Sequence, residues 1–445
     1  MTGTYDLAVV GAGPAGVAGA LGACLAGLDV VLIDGAARPG GQYFRGFGAP
    51  NQKIPGSARF TRQWEALTAR AAVLLGHRVW AVESTGDGFA VRCLEGDREE
   101  RPRTVTARAL PFPGWDLPGV LTAGGAQALL KGDLVVAGRR IVVAGTGPFL
   151  LPVATGLARA GADVRGVYEA NGRLGLARNP LLAAGRVAEA LGYGLGLARH
   201  RIPYLGRHAV VEAHGHDALT HVTVARLDAD WRPLATRTVE CDTLAYGYGF
   251  VPQIELPVQL GCLTRQGAGG APVVAVDAGM RTSVPGVYAA GETTGVGGAP
   301  LAEAEGRLAG RAAAADLGRH VPPPPALFRR AARLSAFADA LARAYPVRRG
   351  WQDWLRDDTL VCRCEEVPLS AVREATSLGA RDARAVKLLA RPGMGWCQGR
   401  MCGHVVAALV GDDPGPPRRP IAQPVRLGDL ANASPQVPEP PGEPR

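Results

Sequence analysis

The chain has 445 residues, more than one hydrophobic core accommodates, so two to four domains are expected. Its apolar share of 47% is that of an ordinary globular protein, and its net charge of +9 comes from scattered arginine, with lysine only at Lys53, Lys131 and Lys387. No basic block marks a nucleic-acid partner, no apolar run is long enough to span a bilayer, and no basic leader opens the chain. The expected location is therefore the cytoplasm, where eight cysteines stay reduced and clustered ones signal metal or redox chemistry.

The first elements form a βαβ unit. Tyr5 to Val10 reads as a buried parallel strand, followed at once by Gly11-Ala12-Gly13-Pro14-Ala15-Gly16 and an alanine-rich helix to Gly27. A second strand runs from Asp29 to Ile33 and ends in Asp34. Gly11 permits the tight turn, Gly13 lets backbone approach a pyrophosphate, and Gly16 lets helix and strand pack closely. The pyrophosphate sits on the helix N-terminus at Pro14 and Ala15, and Asp34 accepts hydrogen bonds from a ribose. Strand, motif, helix, strand and acid in this order point to a dinucleotide. Two further segments resemble flavoproteins of the glutathione and thioredoxin reductase class and favour FAD. Gly40-Gly41-Gln42 stands where that class brings backbone close to the flavin, and Thr282 to Glu292 (T-S-V-P-G-V-Y-A-A-G-E) resembles its closing strand, with Gly291 and Glu292 at the ribityl chain. The class has Asp at that last position, so Glu292 reaches one methylene further. A helix over Ala302 to Ala314 would aim its N-terminus at the isoalloxazine ring.

A second βαβ unit lies between these segments. A strand from Arg140 to Ala144, the loop Gly145-Thr146-Gly147-Pro148-Phe149-Leu150, a helix to about Ala160, and a strand from Val164 to Tyr168 ending at Glu169 repeat the plan. Leu150 stands at the third-glycine position and pushes helix and strand apart, whereas Glu169 suits an unphosphorylated ribose. NAD, another adenine nucleotide such as ATP, and a vestigial site all remain open. Tyr246 to Pro252 is the crossing back, so the FAD domain is split by an inserted NAD-like domain.

Beyond the proline-rich linker Pro322 to Pro325, helices are expected around Leu327 to Tyr345 and Trp351 to Leu355. Four cysteines then form a set: Cys362 and Cys364, and after thirty-two intervening residues Cys397 and Cys402. The interval reads as two helices, Leu369 to Ser377 and Ala380 to Leu389, too little for an apolar core of its own, so a metal staple is expected. Four thiolates hold a [2Fe–2S] cluster or a structural zinc ion, and an electron carrier has the clearer use beside a flavin. Gly393, Gly395, Gly399 and Gly403 supply turns whose N–H groups can bond cluster sulfurs.

The fold class expected is α/β: two Rossmann-like dinucleotide-binding domains plus a small helical [2Fe–2S] module. The boundaries are 1–120 and 244–320 for the FAD domain, 121–243 for the NAD-like domain, 321–357 for linker helices, 358–411 for the cysteine module, and a disordered tail over 412–445.

In this order the motifs resemble one family, which includes the A chain of the opine oxidases, the HcnB-type chain of hydrogen cyanide synthase, and the α chain of D-hydroxyproline and dye-linked proline dehydrogenases. The local matches are Gly40 to Phe44, Pro111 to Lys131 and Gly393 to Gly403, and the likeness covers about residues 5 to 411. The resemblance implies that Cys362, Cys364, Cys397 and Cys402 bind [2Fe–2S], in a module like bacterioferritin-associated ferredoxin. It implies a D-amino-acid-oxidase-like flavoprotein subunit that oxidises an amine or imino acid as the partner, and a small ferredoxin-like subunit is the other candidate. The chain would be the electron-transfer subunit of that amino- or imino-acid (opine, proline, hydroxyproline or glycine type) dehydrogenase or oxidase. The competing readings are a stand-alone NADH-dependent FAD oxidoreductase and a nucleotide-binding scaffold. One departure bears on the flavin: the family has a strand ending in Ala-Thr-Gly before the P-F-P-G-W segment, whereas here Thr106 to Leu110 runs straight into Pro111. An open sheet edge is the expected consequence.

Overall fold

A computed structural model describes residues 3–46, 56–95, 105–172, 187–413, 415–416 and 418–433. The first glycine loop sits at the end of a parallel three-stranded sheet in the order Leu7–Val10, Val30–Asp34, Ala72–Leu75. The central strand VVLID is buried throughout, as a strand covered on both faces must be. One face carries the helix Pro14–Leu25, and the other packs on the hairpin His77–Thr85 and Gly88–Glu95 through Val31, Ile33, Val79 and Val91.

The helix Pro14–Leu25 crosses the long helix Ala299–Asp316 with backbone against backbone. A Cβ on Gly306 would lie 2.0 Å from the Ala15 carbonyl oxygen, and one on Gly310 would lie 2.0 Å from that of Gly19. Only glycine permits this approach. The long helix starts at Ala299, earlier than the expected Ala302, because Gly298 at φ 78° turns the chain into it and Pro300 fits its first turn.

The inserted domain has a five-stranded parallel sheet in the order Tyr204–Gly206, Asp163–Glu169, Arg140–Gly145, Thr243–Gly247, Val120–Thr122. Helices Ala123–Asp133, Leu150–Arg159 and Val187–Arg199 accompany it. An antiparallel sheet of His208–Gly215, Leu219–Leu227 and Pro233–Glu240 packs with its other face. The chain enters and leaves this domain side by side, since Val105–Ala107 pairs antiparallel with Phe250–Pro252. Of the Tyr246 to Pro252 segment, Tyr246 and Gly247 end the strand Thr243–Gly247 and Phe250–Pro252 makes this pairing.

After the helix Pro325–Ala344, a short 3-10 turn Arg349–Trp354 replaces the expected second linker helix. Trp351 and Trp354 are buried there, and the indole N–H of Trp354 donates to the Trp231 carbonyl at 3.0 Å. The cysteine segment does not stand apart. Val361, Cys362, Leu369, Val386, Cys402 and Val405 share one apolar cluster with Phe112, Trp115, Val222 and Tyr246 of the inserted domain and its approach. Trp115 Nε1 donates to the Leu360 carbonyl at 2.7 Å, and a ring nitrogen of His404 meets the Ala109 carbonyl at 3.1 Å. The core too small to form inside the segment is built between it and its neighbour. The tail expected to be disordered from Asp412 docks in part: Arg400 Nη2 bonds the carbonyls of Ile421 and Ala422, and a helix follows at Leu427–Ala433. The rest of that tail, 434–445, lies outside the described residues. Among the described residues no helix is long and apolar enough to cross a membrane.

Candidate functional site

At the first loop, Gly11 adopts φ 109°, and a Cβ on Gly16 would lie 1.7 Å from the Gly11 carbonyl oxygen. The helix begins at Pro14 with Gly13 as N-cap and no side chain capping it. Its first N–H groups are therefore left for an anion such as a pyrophosphate. Asp34 is buried, and its carboxylate accepts from Ala12 N at 2.5 Å and Ala36 N at 2.6 Å. Burial pushes its carboxyl above the usual range, and the two N–H bonds pull back. Gly40 N donates to the Ala12 carbonyl at 2.8 Å, and Gly41, at φ 58°, lies with its backbone against Gly13. Gln42 follows in the same turn. Gly11, Gly13, Pro14, Ala15, Gly16, Asp34, Gly41 and Gln42 thus come together as the spacing suggests.

The closing segment reaches the same place. Gly291 is buried at φ 82°, and a Cβ there would meet the Ala15 Cβ at 3.0 Å. Two residues that sequence reasoning missed hold it. Glu305 accepts from Gly291 N at 2.7 Å and from Thr294 Oγ1 at 2.8 Å. Arg265 Nη2 donates to the Thr294 carbonyl at 3.2 Å. In the sequence Glu305 is only an acid in an alanine-rich helix, a pattern that usually means a solvated face. Glu292 turns back: Oε1 accepts from Gly298 N at 2.9 Å, at the start of the helix Ala299–Asp316. The extra methylene carries the carboxylate to the helix end assigned to the isoalloxazine ring. Burial pushes its carboxyl up to about 7, against the pull of the Gly298 and Gly297 N–H groups.

The strand Leu7–Val10 is an edge strand, paired among the described residues only with Val30–Asp34, and Val10 is 47% exposed. Ala289 of the closing segment packs with Ile254, Cys262 and Val274, a cluster separate from the one beneath the glycine loop. No strand bridges the two among the described residues, at the position where the sequence before Pro111 is short.

The second loop differs in build. The helix begins at Leu150, two residues later than the counterpart of Pro14, and the intervening turn is closed by Leu150 N to Gly147 O at 3.2 Å and Leu151 N to Pro148 O at 3.1 Å. Leu150 is buried among Val143, Val153 and Leu157. The first turn is thus closed by i→i+3 bonds that occupy the Leu150 and Leu151 N–H groups. Glu169 is fully buried and caged: it accepts from Thr146 Oγ1 at 2.7 Å, Gly147 N at 2.8 Å and Asn171 N at 3.0 Å. Asn171 Nδ2 also donates to the carbonyl of Pro346 at 3.1 Å. Burial pushes the Glu169 carboxyl up to about 7. A ribose reaches this carboxylate only if the cage opens. Gly145 packs against the Gly247 carbonyl, where a Cβ would lie 1.8 Å away, and Gly147 stays open at φ 96°.

The four thiols converge. Cys362 bonds Cys402, which draws the Cys362 thiol down to about 5 and pushes Cys402 up. Cys364 bonds Cys397, and burial pushes Cys364 up. Gly393 N donates to Cys362 Sγ at 3.5 Å, and a Cβ on Gly395 would lie 2.6 Å from that of Cys364. Cys364 is exposed, Cys397 half-buried, Cys362 and Cys402 buried. Among the described residues no three His, Cys, Asp or Glu side chains surround one point closely enough for a single metal ion. The thiols thus lie in two pairs, Cys362 with Cys402 and Cys364 with Cys397, with the Gly393 N–H aimed at one sulfur. Trp396, beside Cys397, is 71% exposed.

Two dinucleotide-type domains, one split around the other, with backbone-lined glycine loops, define a flavin-dependent oxidoreductase. A family model for pyridine nucleotide-disulphide oxidoreductases matches residues 5–307, and the chain belongs to that family, within the group that contains the A chain of opine oxidase and the HcnB chain of hydrogen cyanide synthase. It is 36% identical over 425 residues to the HcnB chain of hydrogen cyanide synthase from Pseudomonas aeruginosa, covering 88% of this chain and 90% of that protein. It is 33% identical over 468 residues to the A chain of opine oxidase from Rhizobium meliloti, covering 96% and 98%. The crystal structure of L-proline dehydrogenase from P. horikoshii superposes with a TM-score of 0.67 at 20% identity, over 96% of this chain and 79% of that one, which supports the fold.

Proposed function

We propose that this chain is the electron-transfer subunit of a multi-subunit amino- or imino-acid dehydrogenase or oxidase of the opine, proline, hydroxyproline or glycine type. The observation that carries the reading is the convergence of Cys362, Cys364, Cys397 and Cys402 in a segment docked on the core of the flavoprotein. In this reading the four thiolates hold a [2Fe–2S] cluster, and Gly393 N bonds one of its sulfur ligands. The Gly11–Gly16 loop, Asp34, Gly41, Gln42 and Gly291 hold FAD, with Glu292 at the helix end beside it. When bound, FAD would accept two electrons and could transfer them one at a time, as a cluster that carries single electrons would require. The residues of this chain position both groups and keep water from the loop. Oxidation of the substrate takes place on a D-amino-acid-oxidase-like partner flavoprotein, with a small ferredoxin-like subunit completing the complex in the cytoplasm. Two features support a role without substrate. The recognisable motifs all serve cofactors, and the relatives carry the names of subunits.

Anaerobically purified protein tests this by metal analysis and absorbance. Flavin with iron and acid-labile sulfide is expected, and stoichiometric zinc without iron refutes the cluster. In a dye-coupled assay with proline, hydroxyproline, glycine and opines, turnover is expected only with the partner. Robust turnover by this chain alone refutes the relay. A second reading, a scaffold subunit with an impaired flavin site, is favoured by one observation, the open edge at Leu7–Val10, and predicts cluster without flavin.

A further inference from the structure

A cavity of about 560 Å³ opens on the inserted domain between two sheet edges, Tyr204–Gly206 of the parallel sheet and Pro233–Glu240 of the antiparallel one. It belongs to neither glycine loop. Tyr168 faces it, while the next residue, Glu169, faces the Gly145–Gly147 loop, because successive strand residues point to opposite sides. The charged residues lining it are Arg165 and Arg237, and no carboxylate does. Arg165 Nε lies 3.3 Å from Asp163 Oδ2 outside the lining, with its side chain 40% exposed. Arg237 pairs with no carboxylate among the described residues. Its Nη2 donates to Tyr168 Oη at 3.2 Å, and its guanidinium sits 5.6 Å from the centre of that ring.

Tyr168 is 1% exposed, and the hydrogen of its hydroxyl has no acceptor among the described residues. Burial pushes this phenol up, so it remains a donor at neutral pH. Pro203, Leu205 and Val239 give an apolar wall. The polar groups established at the space are thus donors: the Arg165 and Arg237 guanidiniums and the Tyr168 hydroxyl. A guanidinium with three or more free N–H groups matches carboxylate and phosphate oxygens in geometry as well as charge. The space is of the size that holds small ligands.

We propose that this cavity is a binding site for a small organic anion that joins a carboxylate or phosphate group to a planar or apolar body. Arg237 and Arg165 grip the anionic group, the Tyr168 hydroxyl donates to it from the floor, and the apolar wall takes the body. The anion replaces the missing carboxylate partner of Arg237. Titration calorimetry on the full chain tests it with three probes: AMP, inorganic phosphate and benzoate. Binding of AMP that phosphate displaces assigns a phosphate ligand, and binding of benzoate alone assigns a carboxylate. In either case Arg237→Ala weakens binding at least tenfold, and Arg165→Ala weakens it as well. Both side chains sit at the surface, so both variants are expected to fold; Arg165→Ala should melt like the parent, and Arg237→Ala somewhat lower, because it removes the donor to the buried Tyr168 hydroxyl. AMP also tests the alternative of binding at the second glycine loop, where Gly147→Val would abolish it and Arg237→Ala would not. That pattern, or no binding of any probe at millimolar concentration, overturns the proposal.

Discussion

Replacing Gly306 with Ala places a Cβ 2.0 Å from the Ala15 carbonyl oxygen, where ordinary contact begins near 3.4 Å. The two helices must separate by about 1.4 Å, because both atoms belong to backbone and no rotamer change relieves them. Overpacking of this kind costs about 3 kcal/mol at the upper end of the usual range, and the better helix propensity of Ala returns about 1 kcal/mol. A net loss of about 2 kcal/mol is expected. The displaced atoms are those of the cofactor loop itself, since Ala15 also meets Gly291, and Gly291 is held by Glu305 one residue before Gly306. FAD affinity should therefore fall at least tenfold, which corresponds to about 1.4 kcal/mol. Gly22, on the same helix as Ala15, is the internal control. A Cβ there meets the Arg307 carbonyl oxygen at 3.8 Å, an ordinary contact, so Gly22→Ala should be neutral or raise the melting temperature by about 2 °C. Thermal melts and flavin retained after gel filtration measure both variants. The reasoning fails if Gly306→Ala keeps its flavin and melting temperature, or if Gly22→Ala falls as far.

Cys397→Ser should remove iron and its visible absorbance but leave FAD bound, because the cysteine segment shares its core with the inserted domain and not with the cluster under the first loop; loss of flavin along with iron would show that the sites fold as one. NADH should reduce the flavin poorly, since the turn before Leu150 is closed on itself and Glu169 is caged; rapid bleaching in a stopped-flow mixer contradicts this. Glu169 has a folded pKa of about 7 against 4.5 unfolded, so its contribution is fully present below pH 4.5 and is lost as pH rises through 7. Glu169 should contribute up to about 3 kcal/mol to the loss of stability between pH 5 and pH 8, so Glu169→Gln should reduce the pH slope of the urea midpoint while leaving the part that Glu292, also raised to about 7, contributes; an unchanged slope in the variant refutes the assignment.

The parts of the fold legible in the sequence are those set by neighbours along the chain. Glycine at positive φ, an acid at a strand end and a proline in the first helical turn define both βαβ units to within a few residues. The helix Leu369–Ser377 is legible to its ends. What escapes is set by distant partners. Asp382 caps the next helix through Ala385 N at 2.7 Å, which moves its start from Ala380 to Ala383. Glu305 looks solvated in its own helix and becomes buried only because Gly291 and Thr294 fold onto it. Glu169 reads as a ribose ligand until Thr146 and Asn171 enclose it. Of the three tryptophans near the cysteines, Trp354 packs on Trp231 and Tyr248, Trp351 is buried in the same apolar cluster, and Trp396 is left outside. No local pattern encodes that difference.

The short stretch before Pro111 gives these observations a common consequence. A parallel sheet normally holds its strands by ladders on both edges, and the closing segment would join the first strand through an intermediate one. Here Leu7–Val10 ends the sheet among the described residues, with Val10 exposed, and the closing segment belongs to a different apolar cluster. The two halves of the flavin domain must therefore be held by what remains. That includes the short ladder of Val105–Ala107 with Phe250–Pro252, Leu256 against Val31 and Ile33, the crossing of Pro14–Leu25 with Ala299–Asp316, the Glu305 bonds to Gly291 and Thr294, and the Glu303 contacts with Arg59 and Gln63 on the helix Ser57–Thr68. A missing ladder places on side chains and glycine contacts an attachment that backbone hydrogen bonds would otherwise share. Substitutions at Gly306, Gly310 and Glu305 should accordingly affect flavin more than their distance from the loop by sequence suggests, while substitutions at Ala8 or Val10, whose side chains are exposed on the edge strand, should affect it least.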